Sequence, residues 1–277
     1  MEIKEKLAKF FNKKTMFSKV NIFLYLLIIY TLGAFYFNRN DFGLLFVNLV
    51  SLLVLTGIGY GIFYLLKLKM PKFSTFLISI LIIFLLLFPE EYTLSVFIIH
   101  ILLVVGLFLV KFIRVHNKPI INPAVFAFIF ASIVVLLVPV ADFVFISWWG
   151  GAYGGYIGLA LLLPLVIYAG IAFKKWPLLL AFFITQTIIF ALFENIEFTI
   201  FTYTIFLAGV MLLEIKTSPI KFHEQIVFGI VGALLVSYTP SLLDIDSQVL
   251  AIGIANLLFF TYREIKLFSP KKNINKK

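Results

Sequence analysis

Ten apolar runs of 16 to 25 residues follow one another along the chain, with short polar breaks between them. A helix needs about 20 apolar residues to cross about 30 Å of hydrocarbon. The pattern therefore predicts an all-α integral membrane protein with ten transmembrane helices. The predicted spans are 20–37, 42–66, 74–89, 92–113, 121–139, 156–173, 176–193, 197–214, 225–240 and 247–262. Residues 140–155 form the longest internal connection. Ten spans would make two halves of five, inverted relative to each other because five is odd, as in many transporters.

Charge sharpens this picture. With the N-terminus inside, 22 of the 23 basic residues fall in the N-terminal segment, the cytoplasmic connections and the C-terminal tail. Arg39 is the exception, while Asp41, Glu90, Glu91, Asp142, Glu194, Glu197, Asp244 and Asp246 lie outside. This positive-inside asymmetry predicts a multi-pass plasma-membrane protein with both termini cytoplasmic. It also accounts for the net charge of +10, which points to anionic lipid rather than nucleic acid. Three parts are expected: a basic interfacial N-terminal helix over 1–19, a membrane domain over 20–262 and a basic cytoplasmic tail over 263–277.

Composition agrees. The chain is 62% hydrophobic, with 34 phenylalanines and 13% charged residues, against about 45–50% apolar in globular domains on a slightly different residue set. It has no cysteine, which excludes thiol nucleophiles, disulfides and cysteine-held iron–sulfur clusters in this chain. His100, His116 and His223 are too scattered for a metal site.

Few polar side chains fall within the spans: Asn48, His100, Thr185, Gln186, Thr187 and Asn256. Asn48, Gln186 and Asn256 suit interhelical hydrogen bonds, and the alternative is a polar path that includes His100. No span has a carboxylate or lysine near its centre, which argues against a self-contained carboxylate proton relay.

Three stretches carry candidate chemistry. "INPA" opens the fifth span, with Asn122 placed to cap a helix or offer an amide to a ligand and Pro123 to preset its first turn. "EIKTSPIKF" precedes the ninth span, with Thr217 and Ser218 offering hydroxyls at a turn. "FISWWGGAYGGYIG" holds five glycines between Gly150 and Gly158, edged by Trp148, Trp149, Tyr153 and Tyr156. It reads as an outer-interface loop whose aromatic residues anchor at headgroup level.

In this order and on these sides, the stretches resemble one family, NqrB/RnfD. Its members are membrane subunits of the sodium-translocating NADH:quinone oxidoreductase and of the Rnf electron-transport complex. Asn122-Pro123-Ala124 and Thr217-Ser218-Pro219 match its Asn-Pro-Ala and Thr-Ser-Pro elements. The resemblance covers most of the chain past residue 20. It implies ten helices in two inverted five-helix halves, similar to urea-channel proteins, and electron transfer between flavins coupled to ion movement. Other subunits of such a complex are the implied partners.

The family carries covalent FMN on the threonine of an outer Ser-Gly-Ala-Thr. Here Gly150, Gly151, Ala152 and Tyr153 stand at that motif, so covalent FMN is not expected. The family's Asp-Pro before Thr-Ser-Pro is Glu214-Ile215 here, a milder departure. Noncovalent FMN or riboflavin would draw on Trp148, Trp149, Gly150, Gly151, Tyr153, Asn122, Thr217 and Ser218. Two other readings stay open: a channel or transporter for a flavin or small neutral solute on the same scaffold, and a non-catalytic membrane scaffold. No catalytic residue is identified.

Overall fold

The computed structural model describes residues 17–68, 72–87, 91–115, 118–138, 155–193, 203–214, 217–240 and 246–268. The predicted N-terminal interfacial helix falls almost wholly outside the described residues, and so do Trp148, Trp149, Gly150, Gly151 and Tyr153. Within the described residues the protein is all-α apart from one small hairpin, and a helix meets each of the ten predicted spans.

The helices are α1 (Lys19–Phe37), α2 (Phe42–Leu65), α3 (Phe73–Leu86), α4 (Leu94–Leu109) and α5 (Pro123–Leu137). Then come α6 (Gly155–Ala172), α7 (Trp176–Phe193), α8 (Tyr203–Leu212), α9 (Phe222–Tyr238) and α10 (Ser247–Phe268). Side-chain caps set several starts. The Ser18 hydroxyl accepts from Asn21 N at 3.3 Å, and Thr93 Oγ1 accepts from Val96 N at 3.4 Å. Such caps serve amides that a first helical turn leaves unpaired.

Two details depart from the hydropathy pattern. α10 runs to Phe268 rather than stopping at 262, because its charged end finds partners. Lys266 Nζ donates to Glu224 Oε1 at 2.8 Å and to Tyr262 OH at 3.0 Å. α4 ends at Leu109 and unwinds through Lys111 N to Phe108 O and Phe112 N to Leu109 O. The chain then forms an antiparallel hairpin, β1 (Arg114–Val115) with β2 (Lys118–Pro119), for which the apolar pattern carries no signal.

Packing among the helices repeats after five. In the first half α1 packs on α3, α2 on α3 and α4, and α5 on α3 and α4. In the second half α6 packs on α8, α7 on α8 and α9, and α10 on α8 and α9. Each pair of the first set becomes a pair of the second when five is added to both labels. The halves meet through α1 against α6 and α5 against α10. The third helix of each half is its most enclosed: every residue of α3 from Ile80 to Leu86 is buried, and so is every residue of α8. α8 ends in a π-helical stretch, Leu207–Leu212, where Gly209 lies hard against Val166 of α6. Such wide turns are rare and recur at functional sites.

α1 and the segment Arg39–Leu65 are long and apolar enough to cross a membrane. Seven further apolar helices, α3 to α9, have 10 to 18 residues. Much of the apolar surface is exposed: on α2 alone Phe42, Phe46, Val50, Val54, Ile58, Ile62 and Leu65 face outward.

Candidate functional site

The two motifs singled out in the sequence, 95 residues apart between Asn122 and Thr217, come to one end of the bundle. Asn122 is the N-cap of α5, and its Oδ1 accepts from Ala124 N at 2.9 Å and Val125 N at 3.4 Å. Its Nδ2 crosses to α8 and donates to Met211 O at 3.0 Å. That carbonyl, left over at the end of the π-helical stretch, also accepts from Glu214 N at 3.4 Å. Glu214 O in turn accepts from Thr217 N, Ser218 N and the Ser218 hydroxyl, the last at 2.7 Å. Asn-Pro-Ala is thus linked to the Thr-Ser-Pro turn through the short stretch Met211–Glu214.

Asn256 joins the same cluster from α10. Its Oδ1 accepts from Asn122 N at 2.9 Å. Asn122, Asn256, Thr217 and Ser218 are all at most 3% exposed. Asn256 Nδ2 and Thr217 Oγ1 are buried with no hydrogen-bond partner among the described residues. Buried polar atoms in native proteins are paired in the great majority of cases. Two unmet groups therefore mark this cluster as one that can hydrogen-bond a further molecule.

Lys175 closes the cluster, although the sequence reading assigns it nothing beyond an inside charge. α6 ends in a Schellman turn, with Lys175 N on Gly170 O at 2.9 Å and Lys174 N on Ile171 O at 3.2 Å. Lys174 takes the left-handed conformation at φ 57°. That turn drives the next side chain inward: Lys175 is 2% exposed, and its ammonium donates to Ser218 O at 3.3 Å and to Pro219 O. Gln225 holds the same turn from α9, donating to Ile220 O at 2.9 Å and Lys174 O at 3.1 Å. The missed signal was local, since two lysines directly after an apolar run offer one residue for the turn and one for its interior.

Burial pushes the Lys175 ammonium down from an ordinary 10.5 to about 8. Below about pH 8 it is charged in both folded and unfolded chains, and its contribution to stability does not change with pH. Between about 8 and 10.5 the unfolded chain holds more protons, so stability from this group rises with pH. The wild-type thermal midpoint should gain on that of Lys175→Met across this window and run parallel to it below pH 7. Parallel curves throughout would refute the assignment.

The other polar residues of the spans are not gathered in one place. His100, fully buried in α4, pairs through Nδ1 with Ser51 Oγ of α2 at 3.0 Å. Gln186 of α7 pairs with Ser237 of α9, donating from Nε2 at 3.1 Å and accepting at Oε1 at 3.2 Å. In each half, then, a side-chain bond joins the second and fourth helices. Asn48 Nδ2 turns back to Leu44 O of its own helix at 3.1 Å. Among the described residues no group of three His, Asp or Glu side chains is placed to hold a metal ion.

No family model matches this chain, and no curated protein matches it.

Proposed function

We propose that the protein is a membrane-spanning subunit of a flavin-dependent electron-transport complex of the Rnf and sodium-translocating NADH:quinone oxidoreductase type, coupled to ion translocation. Its ten helices form two inverted five-helix halves in the plasma membrane, with both termini in the cytoplasm. FMN or riboflavin is held without a covalent bond, because Tyr153 stands where the acceptor threonine would be.

One observation carries this reading. Asn-Pro-Ala and Thr-Ser-Pro, the two elements that match the family, lie in one buried hydrogen-bonded cluster. The packing that repeats after five helices supports the scaffold that the resemblance implies. The exposed apolar side chains support the membrane setting, since soluble monomers rarely expose contiguous apolar patches beyond a few hundred Å². Sidedness is consistent as well. Lys19 donates to Ala172 O at 2.9 Å, Lys266 to Glu224 Oε1 at 2.8 Å, and Gln225 to Lys174 O at 3.1 Å. Each of these bonds lies in the predicted cytoplasmic connections or at the span ends that adjoin them.

The replacement at Tyr153 favours one competitor, a solute channel on the same scaffold without redox chemistry. Purified protein, reconstituted with riboflavin or FMN, separates the two. The proposal expects a flavin absorbance band that bleaches on dithionite and returns in air, at about one flavin per chain. A colourless protein that takes up neither flavin would sink it. Riboflavin flux into liposomes without any bound, reducible flavin would install the channel instead.

A further inference from the structure

The second and fourth helices pack together in each half, but the two pairs are closed differently. α7 and α9 are fastened along their length. Gln186 and Ser237 exchange two bonds, at 3.1 and 3.2 Å. In the middle of α9 a Cβ on Gly229 would run into the backbone of α7. Beyond it, Gln225 of α9 donates to Lys174 O, just before α7 begins, at 3.1 Å.

α2 and α4 run parallel, since Ser51 meets His100 and, further along both helices, Phe63 meets Phe108. Their later turns are closed by stacked rings. Phe63 and Phe108 lie 4.7 Å apart between centroids, Tyr60 and Phe108 5.7 Å, and Phe76 of α3 lies 4.6 Å from Phe108 and 5.4 Å from Tyr60. Such rings bury large apolar areas in a preferred geometry. Nearer the starts of α2 and α4 the tie is the bond between Ser51 Oγ and His100 Nδ1 at 3.0 Å. Polar atoms around it are left over. His100 Nε2 is buried with no hydrogen-bond partner among the described residues, and so is Asn48 Oδ1, one turn from Ser51 on α2. Buried polar groups left unpaired count against the closed arrangement, because water would satisfy them. Nothing braces α2 from behind either. A Cβ on Gly43, Gly57 or Gly61 would meet nothing within 4 Å.

We propose that α2 is a gate: it pivots on its ring-stacked end, parts from α4 near Ser51 and opens a way to the His100 imidazole, while α7 and α9 stay closed. The halves share one packing plan and differ in stiffness. Hinged movement about a retained contact is a common form of conformational change, and the moving element is the one with fewer buried contacts. Opening admits a hydrogen-bonding partner to His100 Nε2 and Asn48 Oδ1, the two atoms that closure leaves unpaired. Tyr92, whose ring centroid is 5.8 Å from that of His100, lies beside the same opening. The gate needs neither a flavin nor a redox partner, so it stands or falls separately from the electron-transfer reading.

The test uses the full-length protein. The chain has no cysteine, so paired substitutions supply the only thiols for nitroxide labels. Three pairs at exposed positions report the movement. Val47→Cys with Ile101→Cys reads the gate end of α2 and α4, and Ile62→Cys with Leu109→Cys reads the stacked end. Ile188→Cys with Leu234→Cys reads α7 against α9. Distances between the labels are measured by electron spin resonance. The first pair should show a second, longer distance, and the other two a single narrow one. Ser51→Ala removes the tie to His100 and should enlarge the longer-distance population of the first pair alone. If the three pairs give distributions of equal width, or if Ser51→Ala changes none of them, α2 does not open and the proposal is overturned.

Discussion

Gly229→Ala should lower the thermal midpoint of the purified protein more than any other single methyl addition among the helices. α7 and α9 share the most extensive helix–helix contact among the described residues, and Gly229 lies within it against the backbone of α7. A Cβ there would overlap the Leu178 carbonyl oxygen and lie 3.1 Å from Phe182 N. Both are backbone atoms, so no rotamer change relieves the clash and the helices must separate. Overpacking of a tight core costs about 1–3 kcal/mol, occasionally more, and the upper end applies where nothing can yield. Gly57→Ala on α2 is the control, because a Cβ there would meet nothing within 4 Å. It should be neutral or stabilising by up to about 1 kcal/mol, since alanine replaces glycine inside a helix. Equal midpoints for the two variants, followed by tryptophan fluorescence on heating, would show that α7 and α9 are not packed as described.

Asn122→Ala should destabilise the fold by about 2 kcal/mol and loosen the Thr217–Ser218 turn. Loss of the cap on Ala124 N and Val125 N accounts for about 1 kcal/mol. Losing the side-chain donor to Met211 O, which still accepts from Glu214 N, adds about 0.5–1.5 kcal/mol. Asn122→Ser separates these contributions. Serine restores the cap but cannot reach Met211, so it should recover only about 1 kcal/mol. If serine restores full stability, the crossing bond to α8 contributes nothing. Under the proposed function, both variants should also weaken flavin retention, with alanine the more severe.

Hydropathy and charge were enough to place a helix in each of the ten apolar runs among the described residues, because each run is bounded by lysines or by acidic turns. The ends were less legible. The last turns of α10 are polar and depend on Glu224, 42 residues away in sequence. Asn122 and Thr217 were visible as motifs, yet nothing in a linear reading links Asn122 to Met211, since its partner there is a main-chain carbonyl and carbonyls leave no mark on sequence. Lys175 was hidden for another reason. A lysine at the end of an apolar run is ordinarily solvated, and only the left-handed turn at Lys174 sends this one inward.

The enclosure of α3 has a consequence for synthesis. It has 14 residues, so it is about 21 Å long and falls short of the hydrocarbon thickness by about a third. Its far half, from Ile80 onward, is buried in the finished protein. One of its packing partners, α5, begins 37 residues after α3 ends. At roughly 5–20 residues per second, about 2–7 s pass before the ribosome has made the first turn of that partner. During that interval α3 has α1 and α2 for company but not its full enclosure. In the proposed membrane setting, the insertion machinery must therefore shelter it, or accept it tilted and thinly covered, until the first five helices can close together.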